Sequence, residues 1–189
     1  MKVCILSDSH DNRTLLAAAV AAARDAGAGA VLHCGDVVAP GTLEVLWPLG
    51  LPVHVIHGNN VGDTWMMGRI AAKPANRTTY YGQDAGIELD GRRIFLVHYP
   101  HYAAAMATTG DWDLVCCGHD HQAAIRPVDN LAGRQTWLVN PGTVGGIKAP
   151  ATWVLGDLET MQFLVQQVQP ADAQAAPATG AAATLTASP

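Results

Sequence analysis

The sequence predicts an α/β fold in which two β-sheets pack together with helices on the outside. Three observations predict it. The first sixty residues alternate short β-rich runs with helical runs in the order β-α-β-α-β, the pattern of parallel strands. From about position 77 the rhythm changes to short β-like runs separated by glycine, proline and asparagine turns, so the second half is mostly β. With 189 residues, 49% hydrophobic and 14% charged, the chain is long and apolar enough for one domain with a sizeable core.

The elements follow in order. Val3–Ser7 is a β-rich run that leads into Asp8-Ser9-His10-Asp11-Asn12. Thr14 to Ala26 is alanine-rich and stops at Gly27, a helix with a glycine end. Ala30–Cys34 is a second strand, Pro40–Leu49 a short helix, and Val53–His57 a third strand ending at Gly58-Asn59. Arg77–Tyr81, Ile87–Asp90 and Arg93–His98 are strands, with Asp90-Gly91 as a hairpin turn. Tyr102–Thr108 is a short helix, and Leu114–Cys117 a buried strand. Ala123–Val128, Thr136–Asn140, Thr152–Leu158 and Gln162–Val168 complete the strands. Positions 1–169 form the domain, and the Ala/Pro-rich positions 170–189 read as a disordered tail.

With 16 acidic and 11 basic residues the formal charge is −5, which argues against long nucleic-acid partners. Apolar runs are too short for a membrane span, and the N-terminus reads as a strand rather than a leader, so a cytoplasmic location is expected. Cys4, Cys34, Cys116 and Cys117 fall inside apolar runs without C-x-x-C spacing and read as small, reduced, buried hydrophobes. Exposed strand edges and the tryptophans make a homo-oligomer an open option. Trp65-Met66-Met67 reads as a core or subunit contact, with an apolar substrate wall as the alternative.

The chemistry gathers at strand ends. Strand one runs into Asp8-Ser9-His10, strand two into Gly35-Asp36 and strand three into Gly58-Asn59. Later strands run into His98 and into Gly118-His119-Asp120-His121. In open α/β sheets the ligand crevice lies outside the carboxyl ends of the strands, so carboxylates, imidazoles and an amide converge there from five places. In extended backbone, positions i and i+2 point the same way, which lets Asp8 and His10 serve one ion. His119 and His121 would diverge towards two adjacent ions. Glycines at 35, 58 and 118 allow close backbone approach. A nitrogen and oxygen donor set without thiolate suits Mn²⁺, Fe²⁺, Zn²⁺, Ni²⁺ or Co²⁺, and seven ligands are too many for one ion.

The series Asp-x-His, Gly-Asp, Gly-Asn, His, Gly-His-x-His resembles that of the calcineurin-like metallophosphoesterase superfamily, from Lys2 to about Val168. The lack of large insertions and the segment Asn140-Pro141-Gly142-Thr143 are similar to the small prokaryotic phosphodiesterases, the YfcE-like branch. The resemblance implies a four-layer α/β/β/α sandwich of two mixed β-sheets flanked by helices. It also implies two divalent metal ions, manganese first, with nickel, zinc, iron, cobalt or magnesium as alternatives. By the same resemblance Asp8, His10, Asp36 and His121 hold the first ion. Asp36, Asn59, His98 and His119 hold the second, with Asp36 bridging. Two ions about 3.5–4 Å apart acidify a bridging water for in-line attack on phosphorus and clamp the phosphoryl oxygens.

The implied activity is a metal-dependent phosphoesterase acting on a small phosphoester, with a diester favoured. A phosphomonoesterase, or a non-catalytic metal-binding scaffold, is the alternative. Three departures bear on the proton donor. Asn60 stands where many members carry histidine, the nearest aspartate is displaced to Asp63, and Tyr99-Pro100-His101 follows His98 in place of Gly-His. Direct catalytic parts are therefore expected from Asn59, His10 and His101, with His57 as a second candidate acid. His33 and His54 read as strand histidines, and Asn140 and Thr143 as residues that fix a turn.

Overall fold

The computed structural model describes residues 1–168; the expected tail lies outside them. Eleven strands follow the predicted order, joined by three α-helices of which one, α2, was not expected: β1 Lys2–Leu6, α1 Arg13–Asp25, β2 Ala28–His33, β3 Val53–Val55, α2 Thr64–Ala71, β4 Thr78–Tyr80, β5 Asp84–Leu89 and β6 Arg92–Val97. They continue as α3 Pro100–Thr108, β7 Leu114–Cys116, β8 Ala123–Asp129, β9 Gln135–Pro141, β10 Thr152–Asp157 and β11 Gln162–Gln167. Pro40–Leu49 is helical as expected, but as a 3-10 helix. Pro40 opens this segment, where a helix tolerates proline, and Pro48 sits within it, lacking the N–H that an α-helical ladder would use.

One sheet has the order β11-β10-β1-β2-β3-β4 and the other β5-β6-β7-β9-β8. Both are mixed. β1 to β4 pair parallel, as do β6, β7 and β9, while β10, β11, β5 and β8 pair antiparallel.

The period-two alternation of the strands builds the layers. Val3, Ile5, Ala30 and Leu32 face Ile94, Leu96, Leu114 and Val139 between the sheets. The alternate residues Cys4, Leu6 and Val31 pack beneath Leu16, Ala19, Val20 and Ala23 of α1. On the far face Val97, Val115 and Cys117 pack against Ala103 and Ala107 of α3. Cys116 and Cys117 thus face opposite sides of their sheet, and all four cysteines are free and buried. The result is the four-layer α/β/β/α sandwich that the resemblance implied.

One helix was not legible. α2 covers the Trp65-Met66-Met67 segment, and the displaced Asp63 caps it by accepting a hydrogen bond from Met66 N at 2.8 Å. Met67 is buried in the α1-side core, whereas Trp65 is 65% exposed beneath the Arg69 guanidinium. Among the described residues no helix is long and apolar enough to cross a membrane.

Candidate metal centre

The parallel strands β1, β2 and β3 all end at one edge of their sheet, and β6 and β7 end at the facing edge of the other. The chain leaves those ends through left-handed backbone at Asp8 (φ 55°), His10 (41°), Asp36 (55°), His119 (77°) and His121 (61°). Non-glycine residues hold such conformations only where the surroundings enforce them, at about 1–3 kcal/mol each. Backbone bonds enforce them here. Asp8 N donates to Gly35 O at 3.0 Å, His10 N to Asp36 O at 3.0 Å, and Gly118 N to His98 O at 2.9 Å. The expectation that Asp8 and His10 share a side through extended i, i+2 geometry is corrected. The strand stops at Leu6, and the two side chains converge through left-handed turns.

Close packing brings the two sheets' loops into contact. A Cβ on Gly58 would meet His98 Nε2 at 2.6 Å, and one on Gly118 would meet Asp8 Oδ2 at 2.5 Å. These glycines are needed for space, since neither has a positive φ.

Asp8 is the hub. Its Oδ1 lies 3.4 Å from His121 Nε2, 3.8 Å from His10 Nε2 and 3.9 Å from His98 Nε2. Its Oδ2 accepts from His119 N at 2.9 Å, and its carbonyl accepts from Thr143 Oγ1 at 2.8 Å. Asp36 presents one oxygen to each side, Oδ1 3.4 Å from His98 Nε2 and Oδ2 3.7 Å from His10 Nε2. Asn59 Oδ1 stands 3.1 Å from His98 Nε2 and 2.8 Å from His119 Nδ1. All seven expected ligand positions therefore meet in one cluster. Two groups within it have donor atoms close enough to hold an ion, Asp8–His10–His121 and Asp8–Asp36–His98. Asp8 is common to both.

The hydrogen-bond pattern tests whether cations fit. His98 Nδ1 faces the Cys34 carbonyl and His121 Nδ1 faces the Ile147 carbonyl, both at 2.8 Å. A carbonyl only accepts, so each Nδ1 carries a proton and each Nε2 is the ring nitrogen turned inward. His98 Nε2 faces Asn59 Oδ1 at 3.1 Å. Asp8 Oδ1 is buried and has no hydrogen-bond partner. Buried acceptors short of protons are costly, and divalent cations between them remove that cost. The donor set fits such ions.

Neighbouring residues support the ligands. Asn60 grips Asp36 twice, N to Oδ1 at 2.8 Å and Nδ2 to Oδ2 at 2.6 Å. No sequence feature assigned that part to Asn60, although a second amide directly after a strand-end ligand is a readable signal. Asn140 donates to Gly118 O at 3.0 Å and Asp120 Oδ1 at 2.8 Å, so it fixes the loop that carries His119 and His121. His33 is buried between Ser9 Oγ and Gly35 N, and burial together with the nearby His98 lowers its pKa to about 3. His54 bonds Tyr81 Oη at 2.8 Å. Neither of these two histidines reaches the cluster through a hydrogen bond.

His101 is placed differently. It is exposed at the start of α3, its ring 4.2 Å from that of Tyr102 and 5.7 Å from that of Tyr99. It makes no hydrogen bond to any of the seven ligand positions among the described residues. His57 sits in a cleft beside His98, with Nδ1 bonded to Tyr80 Oη. Burial, and secondarily His98, lower its pKa.

With the strand-end donors and the sandwich established, comparison with known proteins is decisive at the family level. The calcineurin-like phosphoesterase superfamily domain matches residues 1–161. The chain belongs to that superfamily. Among its relatives, the protein named phosphodiesterase MJ0936 from Methanocaldococcus jannaschii is 28% identical over 148 residues, covering 77% of this chain and 86% of that one. A solved structure of an archaeal phosphodiesterase superposes with a TM-score of 0.79 at 24% identity, covering 88% of this chain and 99% of the other. The phosphoesterase YfcE from E. coli gives 0.59 at 16%, covering 89% and 100%. Vacuolar protein sorting 29 from Cryptosporidium parvum gives 0.54 at 16%, covering 87% and 95%. At these identities the structural likenesses speak for the shared fold. Within this superfamily fold, the clusters around Asp8 are consistent with a dinuclear metal site and support a metal-dependent hydrolase.

Proposed function

We propose that the protein is a dinuclear-metal phosphodiesterase of the small YfcE-like branch, acting on a small phosphoester in the cytoplasm. The observation that carries this reading is the cluster of carboxylates, imidazoles and an amide at the strand ends, centred on the buried Asp8 Oδ1, which has no hydrogen-bond partner. The identity to a named phosphodiesterase and the free, buried cysteines add support.

In this reading Asp8, His10, Asp36 and His121 hold one ion, and Asp36, Asn59, His98 and His119 hold the other. When bound, the ions supply Lewis acidity to the phosphoryl oxygens and acidify a water. The protein's own part is placement. Asp36 offers an oxygen to each side and is held in that orientation by Asn60. His98 and His121 are locked with Nε2 inward by two carbonyls. Asn59 and His10 border the space where the phosphoryl group would sit, and His10 helps place the leaving group. His101, bonded to none of these residues, is assigned no step. A diester carries one negative charge, so it needs less cationic help than a monoester. That agrees with a centre in which no arginine bonds to the cluster.

The test uses metal-stripped protein reloaded with Mn²⁺, Ni²⁺, Zn²⁺ or Mg²⁺, assayed on bis-p-nitrophenyl phosphate and p-nitrophenyl phosphate. Metal-dependent diester hydrolysis is expected, manganese giving the highest rate, and Asp36→Asn should lower it about a thousandfold by removing a charge shared between the ions. An Asp36→Asn protein that keeps both ions and its rate would overturn the assignment. Preference for the monoester would make it a phosphomonoesterase. Two ions bound without turnover of either ester would identify a scaffold.

A further inference from the structure

A cleft of about 280 Å³ opens directly beside the metal centre and shares His98 with it. Its other walls include His57, Gln83, Asp84, Tyr99 and Tyr102. The sheet register puts them there. Asp84 pairs with Val97, the residue before His98, and His57 N donates to Gly82 O at 2.8 Å, which pins the neighbouring loop. The Tyr99 ring lies 5.3 Å from that of His98 and 5.0 Å from that of His119. Tyr102 stands nearly perpendicular to it, 86° at 5.8 Å, so two phenol rings form a corner next to the ligands.

The charge of the cleft is unusual for a site beside a phosphoester centre. Neither Asp84 nor Gln83 uses its side chain in a hydrogen bond or ion pair among the described residues. No lysine or arginine lines the cleft. An unpaired, exposed carboxylate and two phenol side chains, with no lysine or arginine in the lining, favour a positively charged substituent on a guest whose phosphoryl group sits at the adjacent metal centre.

We propose that this cleft receives the organic substituent of the phosphodiester and selects substituents bearing an ammonium group, making aminoalcohol phosphodiesters the preferred substrates. The inference rests on the phosphodiesterase reading of the adjacent centre. Asp84 supplies the counter-charge, while Tyr99 and Tyr102 supply aromatic rings for cation–ring contact. The cleft's 280 Å³ accommodates a small ammonium alcohol.

Three p-nitrophenyl diesters with the same leaving group test it on the manganese-loaded enzyme: p-nitrophenyl phosphocholine, methyl p-nitrophenyl phosphate and thymidine 5′-(p-nitrophenyl phosphate). The expected kcat/KM for the choline ester exceeds that for the methyl ester about tenfold, equivalent to about 1.4 kcal/mol. Asp84→Asn should bring that ratio to within about twofold, and Tyr102→Ala should reduce it in part. Glu88→Gln, which removes the same charge further along β5, should leave it in place. A ratio near one in the wild type, a ratio indifferent to Asp84→Asn, or preference for the thymidine ester would overturn the proposal. If no ester is hydrolysed, the phosphodiesterase reading fails, and choline titrated into metal-free protein decides the cleft separately. Shifts of the Tyr99 and Tyr102 ring resonances that weaken in Asp84→Asn would support the ammonium site, and their absence would remove it.

Discussion

The two ends of the parallel strands are built on opposite terms. At the carboxyl ends, five of the seven expected ligand residues sit in left-handed backbone, and glycines pack against carboxylate and imidazole atoms without room for a methyl group. At the amino ends left-handed non-glycine residues are isolated, Arg77 before β4 and Asp90 in the Asp90-Gly91 hairpin, beside Gly27 after α1. Asn12, which caps α1 through Leu15 N, marks the border between the two regimes. Conformational strain is thus concentrated where buried acceptors converge. The rest of the sandwich supplies the packing that tolerates it.

Substitutions at the two kinds of glycine break this contrast most directly. Gly118→Ala should destabilise the protein by about 3 kcal/mol, because overpacking against Ser7 and Asp8 has no slack. Urea denaturation measures it, and a variant as stable as the wild type would show that the two sheets' loops can part without penalty. Asn60→Ala leaves the backbone bond to Asp36 Oδ1 but removes the side-chain bond to Oδ2. Loss of such an outer partner costs about 10–100-fold in metal affinity, which isothermal titration with Mn²⁺ reads directly.

A smaller effect follows from pH. The His33 pKa is lowered to about 3 in the folded state, mainly by burial. Between that value and the ordinary one near 6.5, the unfolded chain binds the proton and the folded one does not. The contribution is fully present above about pH 6.5 and is lost progressively as pH falls towards 3. This one group gives a slope of at most about 1.4 kcal/mol per pH unit. Denaturation of metal-free protein at pH 7, 6 and 5 checks it, and His33→Gln should flatten the curve. Smallest of all, Gly68→Ala in α2 meets nothing within 4 Å and should stabilise by about 0.5–1 kcal/mol. A loss of stability there would mean that α2 is constrained in a way its open surroundings conceal.

Much of this was legible in the residue order. The β-rich run at Val3–Ser7, the hairpin at Asp90-Gly91 and the 40–49 helix were read within a residue or two. α2 was not legible, because its eight residues hold a glycine and an exposed tryptophan and its apolar face is only Met67 and Ile70. The ligand positions were legible as strand ends, since a parallel sheet delivers all its carboxyl ends to one edge.

What the sequence by itself determined was the order of strands and helices and the seven strand-end donors of the candidate centre; the α/β/β/α layering came with the family resemblance. Periodicity and strand-end chemistry are local properties of the chain. Only the tertiary structure decided that Asp8 is the hub, that Asn60 grips Asp36, that the His101 ring packs on Tyr102, and that Asp84 opens onto a cleft beside His98. These depend on which nitrogen faces a carbonyl, which loop a backbone bond pins, and which residue pairs with Val97 across a sheet. All are distances between segments far apart in the chain, which no local pattern encodes.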